Sequence, residues 1–217
     1  MTHQVDLFWS FRSPYSYLAT SRIVGLTKEY DINVIVRPVY PIAIRNPDFF
    51  SEINPLWIPY LLKDIQLVAD MNGLPLGWPR PDPVVMNNAT REISPDQPYI
   101  HRLTHLGIAA SENGNGLAFI DEVSRMIWSG EVAGWDKSDH LAKAVAKAGF
   151  DLGKLDAMIN NDFDKYDAKV GENQKALEAA GHWGVPTLAY KDEAFFGQDR
   201  IDACLWRMSQ DGLQKRP

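Results

Sequence analysis

The chain reads as an α/β fold interrupted by a large all-helical insertion. Three observations support this. Strand, helix and strand patterns succeed one another from Val5 to Pro38. The middle of the chain then carries only helical spacings for roughly 110 residues, and the C-terminal part returns to two short strands framed by helices.

Taken in order, Val5–Trp9 is a short apolar and aromatic run suited to a strand. Ser13 and Pro14 follow as a helix cap and a proline, whose missing N–H is harmless in a first turn. Tyr15, Leu18 and Ile23 supply the inward side of that helix, which ends near Tyr30 and Asp31. The β-branched run Ile32–Pro38 is a second strand and completes a βαβ unit. From Val39 to about Pro59, prolines, asparagines and aromatics predict a loop-rich passage.

Helical spacing appears over Tyr60–Asn72, where Leu61, Leu62, Ile65, Leu67 and Val68 are apolar and Gly73 supplies the stop. Gly77–Pro83 holds three prolines and predicts a rigid, aromatic-bearing loop. Helices are expected over Gln97–Ser111, Leu117–Trp128, His140–Lys147 and Leu155–Ile159. A further helix spans Phe163–Ala180, then a strand Val185–Tyr190, a turn at Lys191 and Asp192, and an edge strand Glu193–Phe196. Asp199 is expected to cap a final helix running to about Met208. The expected organisation is a discontinuous α/β domain of residues 1–45 and 163–217, with residues 46–162 inserted as a helical domain.

The 22 Lys and Arg against 28 Asp and Glu leave a formal net charge of −6, which argues against nucleic acid or an anionic membrane as partner. No apolar run is long enough to span a bilayer, and the start lacks a basic leader and an apolar signal segment, so a cytoplasmic location is expected. Cys204 is the single cysteine, which excludes an intramolecular disulfide, a CxxC pair or a thiolate metal cluster; its helical context reads as buried packing. His101 and His105 share a helical spacing without a carboxylate or third ligand nearby, so they read as surface or packing residues and no metal is expected.

The strand-to-helix junction at Ser13 is the main candidate for chemistry. Unpaired first-turn amides and the positive helix end favour an anion there, and a thiolate would gain one more hydrogen bond from the Ser13 hydroxyl. On the residues alone, Ser13 serves equally well as a plain N-cap.

Three motifs, Ser13-Pro-Tyr-Ser-Tyr-Leu18, Trp183-Gly-Val-Pro-Thr187 and Phe196-Gly-Gln-Asp-Arg200, lie in that order around the helical block. In this the chain resembles the thioredoxin-like proteins related to bacterial disulfide oxidoreductases. Within them it is similar to the 2-hydroxychromene-2-carboxylate isomerases and kappa-class glutathione transferases. The resemblance implies a thioredoxin-like fold, glutathione as cofactor and a homodimer.

It also implies roles. Ser13 would meet the glutathione sulfur as the catalytic residue. Val185 would pair with the cysteinyl backbone beside Pro186 in cis, and Gln198 and Asp199 would take the γ-glutamyl end. On the residues alone, Pro186 reads equally well as a strand-opening proline and Asp199 as a bare N-cap. Lys63 looks like a family lysine that reaches over the cleft, although a solvated helix lysine reads the same way. Arg12, Asn54, Trp57, Trp78 and Arg80 are candidates for the substrate pocket. Ser16 stands at the second position of a dithiol pair, so the ordinary disulfide-exchange cycle is excluded. The implied activity is glutathione-dependent isomerisation of 2-hydroxychromene-2-carboxylate, or a related small aromatic carboxylate, by reversible thiolate addition. The alternatives are a kappa-like glutathione transferase or peroxidase, and a non-catalytic glutathione- or peptide-binding protein.

Overall fold

A computed structural model describes residues 2–87, 89–90 and 92–216. Its sheet is built on β1 (His3–Trp9), in which alternation sends side chains to both faces. Val5, Leu7 and Trp9 join the main core, whereas Phe8 packs on the other face with Val39 and Leu177. Trp9 is fully buried without an unmet donor, because its indole N–H reaches the Ser16 carbonyl at 3.1 Å and Thr20 Oγ1 at 3.0 Å. Those bonds tie the end of β1 to the crossover helix α1 (Pro14–Glu29).

The crossover returns the chain in parallel as β2 (Ile32–Pro38), with Val5 opposite Val34 and Leu7 opposite Val36. Late in the chain, β3 (Thr187–Tyr190) runs antiparallel to β1 with Leu188 opposite Leu7, and β4 (Glu193–Phe196) pairs with β3. The order across the sheet is β2-β1-β3-β4.

Between β2 and β3 lie α2 (Ile42–Arg45), α3 (Phe49–Glu52), α4 (Trp57–Met71), α5 (Ile100–Glu112), α6 (Gly116–Trp128), α7 (His140–Lys147), α8 (Leu152–Asn161) and α9 (Phe163–Ala179). Leu177 of α9 covers the Phe8 face, and Asn173 donates to the Pro38 carbonyl at 2.9 Å. On the opposite face, Ile23 of α1 meets Ile201 and Met208 of α10 (Ile201–Gln210) around Val5 and Leu188. The insertion is fastened to the first turn by Trp128, whose indole N–H donates to the Phe11 carbonyl at 2.9 Å. The result is a mixed α/β thioredoxin-like fold with a substantial helical insertion.

Four expectations need correction. The passage from Val39 to Pro59 holds two four-residue helices, α2 and α3. Helix α4 starts at Trp57 rather than Tyr60, since Pro59 falls in the first turn, where no intrahelical donor is required. The strand expected from Val185 begins at Thr187, beyond the cis Val185–Pro186 peptide. Asp199 does not cap the last helix: it lies inside a 3-10 turn, Gln198–Arg200, that starts from Gly197 and leads into α10, where Arg200 occupies the cap.

The histidine pair is a packing feature. His105 is buried, with Nε2 at 2.9 Å from the Tyr40 hydroxyl, and His101 packs on the Tyr40 ring. Burial holds the His105 pKa below the ordinary value, although Asp167 opposes that. No helix among the described residues is long and apolar enough to cross a membrane.

Candidate functional site

The turn from β1 into α1 delivers Ser13 in an extended conformation, φ −92° and ψ 115°. Its Oγ accepts from the Ser16 N–H at 3.2 Å, the N-cap bond that the Ser-Pro sequence suggests. Tyr17 N–H bonds the Ser13 carbonyl and Pro14 has no N–H, so Tyr15 N–H is the one first-turn amide left over among the described residues. The Ser13 hydroxyl also donates to the Val185 carbonyl at 3.3 Å, a long bond joining the two ends of the fold.

On the far side of that bond, Pro186 is cis and Val185 N–H carries no hydrogen bond among the described residues. The loop is shaped from within. Gly184 N–H donates to His182 Nδ1 at 2.8 Å, and Thr187 Oγ1 donates to the Gly184 carbonyl at 2.7 Å. A side chain at Gly184 would put Cβ 2.5 Å from the Phe196 ring, so any other residue would have to push that ring aside. Because Nδ1 accepts, His182 is neutral, and burial lowers its pKa.

Ser13 and Val185 lie at one end of a cavity of about 480 Å³. Its other walls are mainly apolar. Helices α2 and α3 contribute Ile42, Phe49 and Phe50, and α4 contributes Trp57, Ile58, Leu61 and Leu62. Trp78 reaches the cavity from a loop anchored where Gly77 crosses Gly130; a Cβ on Gly77 would lie 2.4 Å from the Gly130 Cα.

Three polar side chains interrupt the apolar lining. Arg12 Nε is 2.5 Å from Asp82 Oδ1, and the guanidinium lies 4.7 Å from the Trp78 ring centre. The Tyr15 hydroxyl donates to Asp64 Oδ2 at 2.5 Å; burial first, and then that bond, raise the Tyr15 pKa. Arg45 donates through Nε to the Tyr40 carbonyl at 2.8 Å, and burial lowers its pKa against the opposing field of Glu178.

Of the residues singled out from sequence, Arg12, Ser13, Trp57, Trp78 and Val185 line this cavity, with Pro186 buried behind Val185. Lys63 does not: at about 100° per residue it lies roughly 170° around α4 from the centre of the Trp57, Ile58, Leu61 and Leu62 stripe, and it is exposed. Asn54 is exposed and accepts from the Leu56 N–H at 3.0 Å, closing the turn before α4. Arg80 is exposed as well, and its carbonyl accepts from the Gly134 N–H at 2.8 Å.

Gln198 and Asp199 stand outside the cavity but beside its Val185 end, since Gly197 N–H donates to the Pro186 carbonyl at 2.9 Å. The field of Asp199 is also felt at Tyr15. Arg45, Phe49 and Phe50 were missed in the sequence because they sit in helices too short to leave a periodic signal.

The site has no dithiol chemistry of its own. Ser16, at the second position of the motif, is fully buried with its Oγ unpartnered among the described residues. Cys204 is buried too, and burial pushes its thiol up to about 12.

Comparison with known proteins places this geometry. The chain is 26% identical over 204 residues to a 2-hydroxychromene-2-carboxylate isomerase of Pseudomonas putida, covering 91% of this chain and 90% of the relative. Among solved structures, a 2-hydroxychromene-2-carboxylate isomerase superposes with a TM-score of 0.69 at 22% identity, over 95% of each chain. The cytosolic disulfide reductase DsbM from Pseudomonas aeruginosa, solved with GSH, superposes with a TM-score of 0.57 at 13% identity, covering 95% of this chain and 99% of DsbM. The family model described as a DSBA-like thioredoxin domain matches residues 4–208. A thioredoxin-like fold with a helical insertion, a serine at the α1 cap and a cis-proline loop facing it is therefore what this chain makes of the DSBA-like thioredoxin-domain family, to which it belongs.

Proposed function

We propose that the cavity binds glutathione at its Ser13–Val185 end and an aromatic carboxylate against its apolar walls, and that the chain is a glutathione-dependent isomerase of 2-hydroxychromene-2-carboxylate or a related compound. The observation that carries this reading is the convergence of Ser13 and the Val185 backbone, 172 positions apart, on the wall of one largely apolar cavity.

The residues fit the group. Among the described residues, Val185 offers an unpaired N–H and a carbonyl held only by the long Ser13 bond, the pattern an extended peptide needs for strand-like pairing. Gln198 and Asp199, beside Pro186, would take the charged γ-glutamyl end. When bound there, glutathione would supply a thiolate nucleophile for reversible addition to the electrophilic carbon of the acceptor.

The chain's own contribution is binding and electrostatics. The Ser13 hydroxyl, now donating to the Val185 carbonyl, would be available to donate to a thiolate, and the Tyr15 N–H at the positive end of α1 would be a second donor. The apolar walls would hold an aromatic acceptor and exclude water from it. Ser13 is not the covalent nucleophile, since no histidine is hydrogen-bonded to it among the described residues.

The test is interconversion of 2-hydroxychromene-2-carboxylate and trans-o-hydroxybenzalpyruvate by the wild-type protein and Ser13→Ala, with free thiol counted before and after. Turnover at constant thiol that is lost in the variant supports isomerisation. Thiol consumption indicates a transferase or peroxidase, and glutathione binding without turnover indicates a binding protein. The reading also carries a reducing, glutathione-containing compartment and a homodimer, for which light scattering is the check.

A further inference from the structure

We infer that Arg45 is the anion-binding residue of the cavity and that it, rather than Arg12, selects ligands carrying a carboxylate. The inference rests on the proposed use of the cavity as the acceptor site.

Two arginines line an otherwise largely apolar space, and their surroundings differ. Arg12 already has its counter-charge. Its charge meets Asp82 at 2.5 Å, its plane lies 4.7 Å from the Trp78 ring centre and 5.9 Å from that of Trp128, and its side chain is 16% exposed. Asp82 is itself fixed by the Val84 N–H at 2.9 Å. A ligand anion at Arg12 would meet a cation whose charge Asp82 already balances.

Arg45 has no carboxylate in ion-pair contact among the described residues. Glu178, the acid whose field it feels, is exposed. Among the described residues, the one hydrogen bond of the Arg45 side chain runs from Nε to the Tyr40 carbonyl at 2.8 Å; it orients the guanidinium and leaves the terminal nitrogens without protein acceptors. A half-buried cation with unmet donors on an apolar cavity favours a ligand that brings the missing negative charge, and the planar fork suits a carboxylate. An uncharged ester of the same shape would offer only a neutral acceptor and no counter-charge, and would bind less well.

The test uses trans-cinnamate and its methyl ester, which share a ring and a double bond and differ in charge. Binding to the full-length protein, with and without glutathione, is read by calorimetry and by quenching of tryptophan fluorescence. Wild type is expected to bind the acid at least about tenfold more tightly than the ester. Arg45→Gln is expected to lower acid affinity to the level of the ester without changing ester affinity, Arg45→Lys to keep part of the preference, and Arg12→Gln to retain it. Circular dichroism establishes that each variant is folded. The inference is overturned if the preference survives Arg45→Gln, disappears in Arg12→Gln, or is absent from wild type because both probes or neither bind. Neither probe requires turnover. Acid selection through Arg45 in a protein without isomerase activity would therefore retire the reaction and keep the inference, whereas isomerisation with an unchanged KM in Arg45→Gln would do the reverse.

Discussion

Ser13→Ala deletes an oxygen that caps α1, holds the Val185 carbonyl and, in the proposed reaction, faces the glutathione sulfur. The three losses have different sizes. Removing a serine cap costs about 1 kcal/mol of stability. The 3.3 Å bond to Val185 is long, and its loss adds little. A hydrogen bond to a charged sulfur is the large contribution, about 1.5–3 kcal/mol. At about 1.36 kcal/mol per pKa unit, losing it raises the bound thiol pKa by roughly 1 to 2. The assay is a titration of thiolate absorbance in the glutathione complex for wild type, Ser13→Ala and Ser13→Thr. The threonine variant keeps a hydroxyl and a cap, so it is expected to track wild type while alanine moves to higher pKa. Equal thiol pKa values in wild type and Ser13→Ala would refute the reasoning, and any activity lost in the alanine variant would then come from the loosened helix start.

His182 accepts the Gly184 N–H, and burial lowers its pKa, so as pH falls the unfolded chain takes up the proton first. Its contribution to stability is therefore complete above the unfolded value of about 6.5 and is lost progressively as pH drops from there through the lower folded value. Thermal midpoints measured from neutral to mildly acid pH should fall more steeply for wild type than for His182→Asn, whose side-chain oxygen keeps the acceptor; parallel curves would exclude His182. Asp82→Asn strips the charge partner from the largely buried Arg12, and a loss of about 1–3 kcal/mol is expected in denaturant unfolding. A change under about 0.5 kcal/mol, the size of an ordinary surface substitution, would show that the Trp78 stack alone suffices. Lys63→Met should leave glutathione affinity within about twofold of wild type by calorimetry, because that side chain leaves α4 opposite the cavity stripe; a tenfold loss would restore Lys63 to the site.

Sequence reading worked best where the signal is local. Ser13 and Pro14 announce a helix start through the dihedral and donor requirements of a first turn, and α1 begins there. The apolar spacing of His140–Lys147 and the turn at Lys191 and Asp192 before Glu193–Phe196 mark elements with the same bounds in the structure. Pattern failed where several local solutions were open. Pro59 reads as a helix boundary, yet it fits inside the first turn of α4, and Asp199 reads as a cap, yet Gly197 with φ 103° turns the chain two residues earlier.

The residues by themselves determined that the chain is a mixed α/β protein with a helical middle, that a cap serine opens its first helix, and that no dithiol pair exists to exchange disulfides. They also carried the motif order that marks the family. Only tertiary structure decided which side chains share a space. It paired Arg12 with Asp82, 70 positions away, left Arg45 without such a partner among the described residues, brought Val185 to Ser13, and turned Lys63 away from the cavity. The physical reason is that helix formation depends on neighbours along the chain, whereas the rotation of a helix about its axis, and the partner that meets a given charge, depend on which distant surfaces pack together.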